Sequence, residues 1–207
     1  MTQVFLPKGS LMLWNDNAIT EHARSPLLVT VTRIENSKRM ADGTMRRYVI
    51  ASKYKWVCAW ALLPDQIVGT IDGKWSVLEI ENFYNTTPGA FTLKIEPLGP
   101  VTLTDGTHIV TTTVPHKLVV GNAIQLGTIA TSTGISAGTT YYVISTPTTT
   151  TLTLSATKGG SILAWTNTGT AASLARTYSV MFTEFGKDFS KRGKYTLCNV
   201  DVTMEEV

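Results

Sequence analysis

Charge is scarce in this chain. Asp, Glu, Lys and Arg make up only 16% of its 207 residues, against about 25% in an ordinary soluble domain. With 43% hydrophobic residues, such a chain has either a surface dressed in Thr and Ser or a surface covered by partners. Charge of one sign is lacking too: 18 Lys plus Arg against 15 Asp plus Glu leave +3, too slight to imply nucleic-acid binding by itself. No run approaches the ~20 apolar residues of a membrane span. The opening MTQVFLPKGS lacks the basic region, apolar core and small-residue cleavage site of a secretion signal. The expectation is a soluble chain with no membrane partner.

Groups able to do chemistry are equally few. Cys58 and Cys198 are the only cysteines, far apart and without metal-ligand or redox spacing. Both sit in alternating apolar segments, Trp56-Val57-Cys58-Ala59-Trp60 and Leu197-Cys198-Asn199-Val200, which predicts reduced thiols packed in strands. His22, His108 and His116 are the only histidines; His108 falls in an expected strand and His116 in a turn motif, so no shared metal site is expected. Glu205-Glu206 and Glu79-x-Glu81 are carboxylate pairs, but adjacent strand residues point to opposite faces, and surface solvation explains them better than paired-acid catalysis. No phosphate-binding glycine loop or nucleophile elbow is present. These absences argue against an enzyme, a cofactor or a metal.

What the chain does contain is strand signal. Between Pro97 and Ala175 the only charged residues are Asp105, Lys117 and Lys158, a compositional shift that marks a boundary. The interior stretch is rich in Thr, Gly and β-branched residues and alternates, as in Thr107 to Val114 and Tyr141 to Ser145, which predicts short strands joined by tight turns. Thr148 to Thr151 alone would suit a disordered stalk, yet Leu118, Val120, Ile124, Leu126, Tyr142, Ile144, Leu152, Leu154 and Leu163 are spaced to fill a small β core. Gly121-Asn122 and Ala137-Gly138 supply turns, and Tyr141 and Tyr142 supply bulk with polar tips.

The flanks read differently. Strands are expected over Val4 to Trp14, Leu27 to Ile34 and Arg47 to Leu62, the last with Tyr48, Ile50, Tyr54, Trp56, Cys58 and Trp60 in alternation. After Asp72-Gly73, Ser76-x-x-Glu79 is a capping box, and Val77, Ile80, Phe83 and Tyr84 fall on one helical face spaced to lie on a sheet. Thr86-Thr87-Pro88-Gly89 ends that helix. Strands resume at Ala90 to Ile95, Arg176 to Phe185 and Lys194 to Val202. The predicted organisation is a discontinuous domain of residues 1 to 98 and 176 to 207, interrupted by an inserted β-rich module over 99 to 175. Such loop insertions cost little closure entropy.

Two resemblances join these pieces. Asp72-Gly73-Lys74-Trp75, Glu79 to Tyr84, Thr87 to Leu93 and the ending Lys191 to Val207 follow long hairpins in an order that resembles the bacteriophage tail-tube fold of major tail tube and distal tail proteins. His116 to Ile124, Ala137 to Val143 and Thr151 to Ser155 before Gly159-Gly160 resemble a small β module that recurs in phage tail and baseplate proteins, with Asn122 where Asp is commoner. The first resemblance implies a mostly β fold, a tail-tube-like β-sandwich or split barrel with one α-helix. It also implies hexameric rings that stack into a DNA-conducting tube, with copies of itself, other tail proteins and DNA passing without sequence-specific binding as partners. The location implied is the virion, after assembly in the host cytoplasm. A minor or distal tail ring present in few copies is the alternative, and two other classes remain: host-glycan binding through the module, and a glycan-cleaving tail component.

The densest basic segment is Arg33 to Arg47, turning at Asp42-Gly43, a strong hairpin signal. It places Lys38, Arg39, Arg46 and Arg47 on two arms of one hairpin. A solvated loop, contact with nucleic-acid phosphates and contact with a neighbouring subunit are all compatible with these residues. The resemblance favours the last, with Met40 and Met45 as adaptable apolar contacts and the basic residues facing the neighbour's carboxylates. Strand-rich chains have edges that must be blunted or paired, and closed rotational symmetry limits such pairing to a ring.

Overall fold

A computed structural model describes residues 11–207. The strand expected from Val4 therefore lies partly outside the described residues, and its described part is β1 (Met12–Trp14). There follow β2 (Asn17–Ala18), β3 (Leu28–Arg39), β4 (Met45–Pro64), α1 (Val77–Thr86), β5 (Phe91–Leu98), β6 (Val101–Thr104), β7 (Ile109–Thr112) and β8 (Ala123–Leu126). Then come β9 (Ile129–Ala130), β10 (Thr140–Thr148), β11 (Thr151–Ser155), β12 (Gly169–Ala171), β13 (Leu174–Arg192) and β14 (Thr196–Glu206). The protein is mostly β, with extensive antiparallel pairing and one α-helix among the described residues.

Contacts divide the described residues into two units, 11–16 with 93–178, and 17–92 with 179–207. Charge distribution draws the boundaries at 98/99 and 175/176, whereas contacts draw them at 16/17, 92/93 and 178/179. The difference has a backbone cause: Leu93, Lys94 and Ile95 of β5 pair with Trp14, Leu13 and Met12 of β1.

In the first unit the strands run in the order β13-β8-β10-β11-β7-β6-β12-β9. Cross-strand partners carry the core from rung to rung: Leu174 faces Leu126, Ile124 faces Tyr141, Val143 faces Leu154, Leu152 faces Val110, and Val110 faces Leu103. All of these are buried, together with Trp165. This register corrects the expected phase of β10. Tyr141 and Val143 point inward and Tyr142 and Ile144 do not, because Tyr141 lies opposite Ile124 while Tyr142 lies opposite Ala123. The Tyr141 hydroxyl accepts the Ser136 N–H at 2.8 Å. Val120, expected in the core, is 62% exposed because it stands in a turn that Asn122 closes: Asn122 N–H donates to the Val119 carbonyl and Asn122 Oδ1 accepts the Val119 N–H, both at 3.1 Å. Gly121 takes φ +89° in that turn and Gly138 takes φ +70° in another, values open to glycine without a Cβ clash.

His116 is 7% exposed. Its Nδ1 accepts the Leu118 N–H at 3.0 Å, which leaves Nε2 to donate to the Thr148 carbonyl at 3.2 Å. The imidazole thus ties the segment before β8 to the end of β10. His108, expected within a strand, lies instead in the β6–β7 turn at φ +50°.

In the second unit β14 lies between β13 and β4, and β3 pairs with β4. Val200, Val202 and Met204 stand opposite Trp60, Cys58 and Trp56, and all six are buried. α1 begins as its capping box predicts, the Ser76 N–H reaching the Glu79 carboxylate at 3.0 Å, while the Ser76 hydroxyl donates to the Asp65 carbonyl at 3.0 Å. Val77 and Ile80 are fully buried. Phe83 meets Trp75, Phe91 and Phe182 with ring centroids 5.2 to 5.9 Å apart, and Tyr84 stacks on Phe185 at 5.0 Å. These aromatic contacts lay the helix on β13. Ser76→Ala is expected to lower unfolding stability by about 1 kcal/mol, read as a shifted midpoint in denaturant titration.

Candidate functional site

The ladder of the second unit is uneven, and the unevenness creates its most exposed feature. β4 pairs with β14 only from Lys55 to Pro64, yet it pairs with β3 from Val57 out to Met45. Beyond Tyr54, therefore, β3 and β4 form a two-stranded ribbon. Ten residues of β4, Met45 to Tyr54, lie in it, roughly 30 Å of chain at about 3.3 Å per residue. The carboxylate of Glu206 accepts the Tyr54 N–H at 3.1 Å where β14 ends, and Glu205 pairs with Lys55 at 3.2 Å.

Apolar residues continue along β4, past a register irregularity that leaves Ile50 without a partner on β3, but their burial changes. Trp56, Cys58 and Trp60 are buried, whereas Tyr48 is 72% exposed and Ile50 63%. Leu28, Val31, Ile34, Met45 and Val49 are exposed as well. An isolated two-stranded hairpin is marginally stable in water, and contiguous exposed apolar surface marks an interaction site. Sequence reasoning placed Tyr48 and Ile50 in one long strand with Tyr54, Trp56, Cys58 and Trp60. The signal that separates them from Trp56 is the length of β4 beside its shorter neighbour β14, and that pairing is not written in β4 itself.

The ribbon tip is made by residues 40–44. Met40 N–H donates to the Thr44 carbonyl at 2.7 Å, Gly43 takes φ +85°, and Asp42 Oδ1 accepts the Thr44 N–H at 2.9 Å and hydroxyl at 2.6 Å. The Thr44 hydrogen bonds hold the Asp42 carboxyl below its ordinary value. Lys38, Arg39, Met40, Met45, Arg46 and Arg47 are all exposed around this tip, and the hairpin register brings them together. Arg47 pairs with Glu35 of the same ribbon at 3.3 Å. Lys38 and Arg46 stand directly opposite each other, a like-charge arrangement that destabilises an antiparallel pair. Among the described residues, Lys38, Arg39 and Arg46 make no ion pair.

The remaining candidate groups serve the fold. Glu79 caps α1, and Glu81 pairs with Lys187 at 2.5 Å. Cys58 faces Val202 while Cys198 faces Leu63, several rungs apart, so no disulfide links them. Both thiols are fully buried; burial pushes Cys58 up to about 12 and raises Cys198 as well. Asp72 closes the loop before α1, accepting the Thr20 hydroxyl at 2.8 Å, the Glu21 N–H at 3.0 Å and the Lys74 N–H at 3.3 Å. Partial burial opposes its charge, but those hydrogen bonds and the Lys74 ammonium outweigh it and lower its pKa. Among the described residues no three His, Cys, Asp or Glu side chains gather as metal ligands, and no helix is long and apolar enough to cross a membrane.

Comparison with protein-family models gives no match, and no curated protein matches the chain.

Two outcomes follow from these environments. Neither thiol is expected to react with a maleimide until the chain is unfolded in guanidinium, after which mass spectrometry should count two labels. For Asp72 the folded pKa is the depressed one, so its contribution is complete above about pH 5 and is lost as pH falls through the lowered folded value. Asp72→Ala should therefore cost about 1 kcal/mol at neutral pH. The gap between the two proteins should close under acid conditions, as measured by denaturant titration at several pH values.

Proposed function

We propose that this protein is a structural component of a bacteriophage tail, a tube subunit whose copies form hexameric rings that stack into a DNA-conducting channel. The observation that supports this most directly is the β3–β4 ribbon. Beyond Tyr54 it is held by one strand pair, displays apolar side chains from Tyr48 to Ile50, and sets Lys38 against Arg46. A surface of that kind is stabilised by a partner that covers the apolar residues and brings carboxylates to the cations.

A second copy of this chain supplies both. Its carboxylates far outnumber the few that its own ribbon uses, and pairing between copies removes the hazard of open strand edges. The order of sequence motifs that resembles the tail-tube fold supports the same reading, and the low overall charge suits a subunit largely covered in an assembly. In this reading the chain has no catalytic role.

Electron microscopy and sedimentation of the purified full-length protein test the proposal. Rings and hollow tubes are expected for the native chain. Arg46→Glu combined with Arg47→Glu should raise the concentration needed for assembly by about tenfold or more. Persistent monomers at high concentration would refute self-assembly, and unchanged tubes from the charge-reversed variant would remove the ribbon from the interface.

A further inference from the structure

The hairpin of β13 and β14 ends in Phe189-Ser190-Lys191-Arg192-Gly193-Lys194-Tyr195, a stretch in which aromatic and basic residues interleave. It lies at the Pro64 end of β4, whereas the β3–β4 ribbon extends from the Met45 end. The assembly reading makes no use of it. Phe189 is 73% exposed, although its rung partner Cys198 is fully buried. Irregularities in three strands meet beside that rung. Ser190 is skipped in the pairing of β13 with β14. The pairing of β14 with β4 shifts register between Cys198 and Val200, and there the Asn199 side-chain oxygen accepts the Leu62 N–H at 3.1 Å. Leu62 itself holds φ +55°, a left-handed conformation that a bulky residue adopts only at a cost.

Bulges re-aim side chains. Strict alternation would set Phe189 and Arg192, three positions apart, on opposite faces. Because Ser190 is skipped, they stand opposite Cys198 and Thr196, which are two positions apart and share a face. The result is an open groove of about 420 Å³ walled by Phe189, Ser190, Lys191, Arg192 and Thr196. Its charge is of one sign. Lys191, Arg192 and Lys194 are exposed and, among the described residues, make no ion pair. Of the neighbouring carboxylates, Asp188 stands opposite Asn199 on the other face, and Asp65 accepts the Thr196 N–H at 3.2 Å. Glu81 pairs with Lys187 at 2.5 Å, and the Lys187 ammonium lies 5.0 Å from the Phe189 ring centroid. That cation occupies one face of the ring and leaves the other free.

Unpaired cations beside an open aromatic face suit a phosphodiester chain whose bases are unstacked. Carboxylates of a second copy would satisfy the cations but leave the ring uncovered. A bilayer surface favours a broad apolar face, whereas between Phe182 and Glu206 Phe189 is the single large apolar side chain exposed. We propose that this hairpin tip binds single-stranded nucleic acid, a base stacking on the free face of Phe189 and the flanking phosphates pairing with Lys191 and Arg192. The contact is separate from the ribbon and stands whether or not the chain forms tubes.

Fluorescence anisotropy of a labelled oligothymidylate, titrated with the full chain at low salt, tests this beside a DNA duplex and vesicles of phosphatidylglycerol. Saturable binding of the single strand is expected, weakening as salt rises. Phe189→Ala, at an exposed position and without change of charge, should weaken it by about tenfold, and Phe189→Trp should keep it. Lys191→Gln combined with Arg192→Gln should both weaken binding and flatten its dependence on salt, with the fold of each variant checked by circular dichroism. Absence of single-strand binding overturns the proposal, as does binding that Phe189→Ala leaves unchanged. Duplex binding as tight as that of the single strand overturns it too, as does vesicle binding without oligonucleotide binding. So does affinity that falls in Arg46→Glu with Arg47→Glu but holds in Lys191→Gln with Arg192→Gln.

Discussion

Much of the second unit follows from where β14 stops. While β14 accompanies β4, each rung places a residue such as Val202 or Met204 over Cys58 or Trp56, and the alternating side chains of β4 are buried. At Glu206 the neighbour ends, and its carboxylate takes the Tyr54 N–H in place of another backbone carbonyl. From there outward the same strand, shifted in register at Ile50, turns increasingly to solvent. One strand terminus thus converts a core strand into a presenting ribbon, and the ribbon is what the proposed assembly uses.

The first unit is organised differently. Its core is a relay of cross-strand pairs from Leu174 through Ile124, Tyr141 and Leu154 to Leu103, and its turns are fixed by side chains bonded to backbone. Asn122 closes one turn, His116 braces two segments, and Asp105 gathers the N–H groups of Gly106 and Asn167. Ion pairs contribute at Lys94 with Asp16 and Lys117 with Glu96, and at these turns hydroxyls, amides and imidazoles do the bonding.

Charge in this protein is placed rather than spread. Lys187 with Glu81 and Lys55 with Glu205 each tie two elements of the second unit together. The ribbon tip is the exception, with Lys38 opposite Arg46 and only Arg47 satisfied, by Glu35. Like charges on opposed rungs weaken an isolated hairpin, and in the proposed assembly carboxylates of a neighbouring copy would relieve them.

The elements with local causes were legible in the sequence. The helix announces itself through Ser76 and Glu79 and through the spacing of Val77, Ile80, Phe83 and Tyr84; the ribbon turn does so through Asp42-Gly43; the mostly β class through alternation and turn residues. These signals work because capping, periodicity and turn geometry involve residues only a few positions apart. Which of Tyr141 and Tyr142 is buried, whether Tyr48 is covered as Trp56 is, and that Val120 stands exposed in a turn were decided only by tertiary structure. A strand's alternation defines two faces without saying which is covered, and pairing register between segments distant in the chain settles that.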